Sequence, residues 1–149
     1  MAAPTRKNVN QELTAFEDAC RAAGLKLTHQ RLEIYRELMQ AGDHPSVETL
    51  FQRVRRRIPT ISLDTVYRTL SMLEQYGLVR KIQASGGFAR FEKQFARHHH
   101  LLCRKCQELT DVAWDALDAL PLPGELAAWG TIEEKNLVLE GVCRKCLGG

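Results

Sequence analysis

Four of the five cysteines in this 149-residue sequence fall into two identical Cys-Arg-Lys-Cys runs, Cys103/Cys106 and Cys143/Cys146. A two-residue gap lets both sulfurs of a pair face one point, and thiolate is the favoured protein ligand for structural zinc. Two such pairs complete a closed tetrahedral set with no position left for a substrate. The competing readings are disulfides, which the cytosol disfavours, and a redox dithiol, which usually occurs singly. The 36 residues between the pairs mean that zinc would clip the end of a small domain to its start. Cys20 stands apart at a helical apolar position and reads as a small core residue.

The second constellation is His98-His99-His100, just before Cys103. On a strand, alternation puts His98 and His100 on one face and His99 on the other. Two imidazoles at i and i+2 can reach one metal, although such a run can equally be a polar edge. His44 in a loop, Glu92 and Asp111 offer further donors. A mixed nitrogen and carboxylate set suits Fe(II), Mn(II) or Zn(II).

The third is the segment Ser62 to Leu70. With Val66, Leu70 and Leu73 buried, the opposite face of a helix shows Asp64, Arg68, Ser71 and Gln75, with Tyr67 at its edge. Arg can pair bidentately with guanine, and a tyrosine ring can lie against a thymine methyl. The second helix of a helix-turn-helix enters the major groove by its N-terminal end, where Thr65, Tyr67 and Arg68 sit. The run Arg53, Arg55, Arg56, Arg57 lies just upstream and could meet phosphates, or could be a solvated face.

Elements must hold these residues in place. Leu13, Phe16, Cys20 and Ala23 predict a helix over 11–23, stopped by Gly24. Thr28, Ser46 and Ser62 can each cap a further helix, and Gly77 closes the last of them. Leu78–Gln83 and Phe88–Glu92 flank Ser85-Gly86-Gly87 as two strands of a hairpin. Helices followed by such a hairpin make a winged helix-turn-helix, residues 1–92. Residues 93–149 read as a small α+β domain: strands at His98–Cys103, Leu109–Val112 and Leu137–Val142, and a short helix near Trp114–Leu120.

Composition narrows the choice. Residues 1–92 carry 14 Lys and Arg against 10 Asp and Glu, and residues 93–149 carry 7 against 8. A basic front and a near-neutral back suit a polyanion-binding module joined to one with another task. The first residues lack the apolar core of a signal peptide, and no run is long enough to span a membrane, so a cytoplasmic protein without membrane association is expected. A zinc enzyme is disfavoured: four cysteines leave no open ligand position, and the histidines lack a His-x-Glu or His-Glu-x-x-His setting. No small-molecule substrate is expected.

The blocks Asp43–Ser46, Ile61–Leu70, Ala89–Glu92, His98–Cys103 and Gly141–Cys146, in this order, resemble the ferric uptake regulator (Fur) family of metal-dependent repressors from about residue 11 to residue 146. The resemblance implies a homodimer of winged-helix domains, held by C-terminal α+β dimerisation domains, that binds double-stranded operator DNA. It implies structural zinc on Cys103, Cys106, Cys143 and Cys146, and a regulatory Fe(II) or Mn(II) on His44, Glu92, His98, His100 and Asp111. Tyr67 and Arg68 match base-reading positions and Lys26 a minor-groove position. Thr65 and Arg57 complete the expected DNA contacts.

The chain also departs from the family pattern. A further metal site carried by many members would fall near Arg97, His99, Asp118 and Lys135, and Arg and Lys cannot ligate. No cysteine is placed for the regulatory site of zinc-uptake regulators. Asp111 resembles the peroxide-responsive branch and Glu92 the iron-responsive branch. The missing extra site tilts the expectation toward peroxide sensing, with an iron-uptake repressor as the alternative.

Overall fold

The computed structural model describes residues 6–82, 89–93 and 98–148. The chain divides into two units, Met1–Phe95 and Ala96–Gly149. The expected hairpin turn at Ser85-Gly86-Gly87, with Gln83 and Phe88, lies outside the described residues, as does Arg97.

The first unit opens with four helices: α1 (Arg6–Ala22), α2 (His29–Gln40), α3 (Val47–Arg55) and α4 (Leu63–Gln75). The three expected caps form. Thr28, Ser46 and Ser62 are extended, and each side-chain oxygen accepts from the backbone N–H three residues on, at 3.1–3.2 Å. Each satisfies a donor that the first helical turn would otherwise leave unpaired. Gly24 and Gly77 end α1 and α4 with φ of +71°, and Leu25 and Leu78 then donate back to Cys20 and Leu73. That closure needs a left-handed residue, which glycine adopts without strain.

The core of this unit is apolar and continuous. Ile34, Leu50, Val66, Leu70 and Leu73 are all but inaccessible. Phe16 of α1 stacks on Tyr35 of α2, rings parallel with centroids 3.7 Å apart. Cys20 lies buried in the same core. Strands β1 (Val79–Ile82) and β2 (Arg90–Lys93) pair antiparallel, with Arg80 opposite Glu92. α1 begins earlier than residue 11: Val9 extends the buried stripe one turn ahead of Leu13, a single apolar position among polar neighbours.

The second unit is a three-stranded sheet in the order β4-β3-β5. β3 (His99–Cys103) is central, antiparallel to β4 (Leu109–Val112) and parallel to β5 (Val138–Gly141). The helix α5 spans Asp115–Ala119, a 3-10 turn spans Gly124–Ala128, and α6 is Arg144–Leu147. The last two were not foreseen, being too short to show periodicity. Among the described residues few side chains are buried here: His99, His100, Leu102, Cys103 and Leu109.

Candidate metal centre and nucleic-acid interface

The sheet of the second unit builds the cysteine cluster. Cys103 ends the central strand, and a tight turn closed by Gln107 N–H onto the Cys103 carbonyl at 2.8 Å brings Cys106 back beside it. Gln107 takes a left-handed φ of +62° to do so. The neighbouring strand β5 delivers Cys143, whose pair is completed by Cys146 on α6. The sulfurs of all four lie within 4.8 Å of one another. Cys106 Sγ and Cys143 Sγ are 3.8 Å apart, too far for a disulfide. Four sulfurs about 2.3 Å from a central ion in a tetrahedron would stand about 3.8 Å apart, so the donor set fits zinc.

The lysines inside the two runs bind the turns together. Lys105 donates to the Cys146 carbonyl at 3.1 Å, and Lys145 pairs with Glu108 at 2.9 Å. The sulfurs differ electrostatically. Backbone N–H groups of Cys106, then Cys143, pull the Cys103 thiol down to about 6. The neighbouring sulfurs, Cys143 first, push Cys146 up to about 12. Thiolates are the zinc-binding form, and a bound dication would supply the positive charge that lets them gather.

The other donors form two partial sets. In the first unit, His44 Nε2 lies 3.4 Å from Glu92 Oε2, both largely buried. His44 has a φ of +49°, rare for a residue with a side chain. It is held there by Arg90, which donates to its carbonyl at 3.0 Å, and by the ion pair of Asp43 with Arg53. Arg80 meets the other oxygen of Glu92 at 3.1 Å. In the second unit, His98 and His100 approach Asp111 Oδ1 at 3.5 and 3.4 Å, with ring centroids 4.8 Å apart. Ligands about 2.1 Å from one ion stand roughly 3.0–3.4 Å apart, so each partial set has the spacing of neighbours around a metal.

His99 points the other way, as alternation predicts. It is buried, accepts from Leu137 N–H at Nδ1 (3.2 Å), and its Nε2 meets Asp118 at 3.1 Å. Those two bonds give it the tautomer protonated on Nε2. Lys135 donates to the carbonyls of Leu117, Asp118 and Leu120 at the end of α5. The ammonium is a cation already in place at the C-terminal end of a helix, where positive charge is favoured.

The helix-turn-helix residues are arranged as follows. Tyr67 is half-buried and its hydroxyl donates to Glu48 Oε1 at 2.7 Å. Arg68 is exposed and pairs with Asp64 at 2.9 Å along α4. Thr65, Arg68 and Thr69 line an open groove of about 350 Å³ with Thr28, Gln30 and Arg31. Lys26 is exposed. The arginine run divides: Arg53 binds Asp43, Arg57 binds Glu33 and Glu37 at 3.1 and 3.6 Å, and Arg55 and Arg56 face solvent. The pairing of Arg57 with buried Glu33, 24 residues away, had no sequence signal.

Residues 22–123 match the sequence model of the ferric uptake regulator family. The chain belongs to this family. Its relatives include a transcriptional regulator and a peroxide-responsive repressor. It is 34% identical over 132 residues to the transcriptional regulator FurA of Mycobacterium tuberculosis, covering 88% of this chain and 89% of that one. It is 26% identical over 140 residues to the peroxide-responsive repressor PerR of Staphylococcus epidermidis, covering 94% and 93%. The solved Helicobacter pylori ferric uptake regulator, 20% identical, shares the α+β fold with a TM-score of 0.77, covering 99% of this chain and 97% of that one. Among the described residues of this Fur-family chain, no helix is long and apolar enough to cross a membrane.

Proposed function

We propose that the chain is a cytoplasmic, homodimeric repressor that grips double-stranded operator DNA when Fe(II) or Mn(II) fills a regulatory site, and that peroxide releases it. Residues 1–92 bind DNA and residues 93–149 dimerise. The observation that carries the reading is the coexistence of two chemically different donor sets. The four cysteines suit a structural zinc, while His44 with Glu92, and His98 and His100 with Asp111, offer nitrogen and oxygen. The five nitrogen and oxygen donors ligate one regulatory ion.

Residues from both units then answer to that ion, which can hold one unit against the other and set the separation of the two α4 helices in a dimer. Those helices must enter the groove about one DNA turn apart. A gain of roughly 10²-fold in DNA affinity corresponds to about 2.7 kcal/mol of coupling, and by reciprocity DNA tightens metal binding equally. Tyr67, Arg68 and Thr65 read bases, Lys26 reaches the minor groove, and Arg57 meets phosphate once it leaves its acidic partners. Exposed Arg55 and Arg56 need no such release.

Dimerisation is supported by the second unit's surface. Leu101 and Leu139 pair on one sheet face and are both exposed, as are Trp114, Leu120, Leu122, Trp129 and Leu147. A unit with so few buried side chains gains its missing core from a second copy. No substrate or turnover is part of this reading.

The peroxide branch is favoured by Asp111 and by Lys135, which falls near a ligand position of the further site that many members carry and cannot itself ligate. When bound, Fe(II) would supply the reducing power that activates peroxide beside His44 and His100. In the net change an imidazole ring gains one oxygen, and peroxide's second oxygen leaves as water. Operator binding in Mn(II) and in Fe(II), each with and without peroxide, tests the branch. Release in Fe(II) plus peroxide alone, with an added oxygen on a peptide containing His44 or His100, is expected. An Fe(II) form that keeps its DNA in peroxide identifies the alternative, an iron-uptake repressor.

A further inference from the structure

Tyr67 and Glu48 join the two helices of the helix-turn-helix. Tyr67 is the fifth residue of α4, and its ring packs against the core while its hydroxyl donates to Glu48 Oε1 at 2.7 Å. Glu48 stands in the first turn of α3, where the helix dipole favours a carboxylate. The shared hydrogen bond holds the Glu48 carboxyl below its ordinary range and the Tyr67 phenol above its own. At neutral pH the acceptor is therefore charged and the donor keeps its proton.

A phenol has one proton to donate. Given to Glu48, it is withheld from phosphate oxygens and from the acceptors on base edges. The ring still offers an apolar face and edge. Among the base edges of the major groove, only thymine presents a methyl group. The adjacent carboxylate repels phosphates and so keeps the ring from settling on the DNA backbone.

We propose that Glu48 is a positioning residue that makes Tyr67 a reader of thymine methyl groups, so that the pair sets sequence selectivity more than overall affinity. This rests on the reading of Tyr67 as a base-contacting residue. A tethered ring meets the base in one orientation, and an untethered one samples several.

The probe is a duplex of about 30 base pairs, long enough for two half-sites, selected by the wild-type protein in Mn(II) from a random library. Each thymine is then replaced in turn by uracil, which removes only the methyl. The wild type is expected to lose about fourfold in affinity at one thymine per half-site, the worth of one buried methyl. Glu48→Ala should erase most of that loss. Glu48→Gln keeps an acceptor and should retain it, while binding non-specific duplex more tightly for want of a charge. Tyr67→Phe should resemble Glu48→Ala, and the two changes together should do no more than either alone. Zinc content and thermal unfolding of each variant confirm that it is folded.

A methyl preference unchanged in Glu48→Ala overturns the proposal and leaves the base-contact reading standing if Tyr67→Ala abolishes that preference. If Tyr67→Ala also leaves the preference and the affinity unchanged, Tyr67 is not a base contact and both fall.

Discussion

His44 is the residue at which local strain and proposed function coincide. A left-handed backbone at a non-glycine residue costs about 1–3 kcal/mol and persists only where the surroundings impose it. Here Arg90 clamps the His44 carbonyl, and the Asp43–Arg53 pair holds the preceding residue. Arg90 lies on β2 two residues before Glu92, so one strand carries both a donor and the clamp of another. Arg90→Gln should therefore weaken Mn(II) binding about 10–100-fold, as losing an outer-shell partner does elsewhere. Competition with a fluorescent chelator reads this, and zinc content should not change. The sequence pointed to His44 as a donor, but its backbone and its clamp were invisible. Arg90 is 46 residues away, and a contact that distant leaves no local pattern.

At the scale of elements, the features legible in advance were those that short-range chemistry decides. Thr28, Ser46 and Ser62 cap helices because their side chains reach three residues on, and Gly24 and Gly77 close helices because only they turn left without strain. The alternation of His98, His99 and His100 was legible for the same reason. Less legible were α6 and the parallel pairing of β5 with β3, since the latter joins residues 38 apart through a connection with little regular structure. Lys135 was recognisable as a non-ligand, yet its grip on the end of α5 required the fold.

The α1–α2 contact carries a pH prediction. Burial first, and Glu12 second, push the Tyr35 phenol up to about 12 from 10.0. The fold thus holds this proton more tightly than the unfolded chain does. Its contribution to stability is whole below about pH 10 and drains away as pH rises toward 12. Urea unfolding of Tyr35→Phe should show a shallower alkaline loss over that window than the wild type. Parallel slopes would mean that the Phe16 stack does not bury the phenol as described.

For the molecule as a whole, the two units differ in how they are held. The first has a continuous apolar core built from four helices and β-strand residues. The second buries few side chains among its described residues, and in the proposed function it draws stability from zinc and from a second copy. Cys106→Ser should drop zinc from about one ion per chain to near none at micromolar supply, and shift sedimentation from dimer toward monomer. A zinc-free variant that stays dimeric would show that the exposed apolar face associates without the clip. In the proposed function the cysteines are a staple, and switching belongs to the nitrogen and oxygen donors.

That division is the central claim, and one measurement bears on it most directly. Fluorescence anisotropy of a selected duplex, titrated with zinc-loaded protein in chelexed buffer and then in excess Mn(II), gives DNA affinity with and without the regulatory ion. The wild type should tighten by roughly 10²-fold on Mn(II) addition, while His44→Ala and His100→Ala should keep their zinc and tighten by less than about twofold. Equal affinity with and without Mn(II) in the wild type, or an undiminished Mn(II) response in both variants, would contradict it.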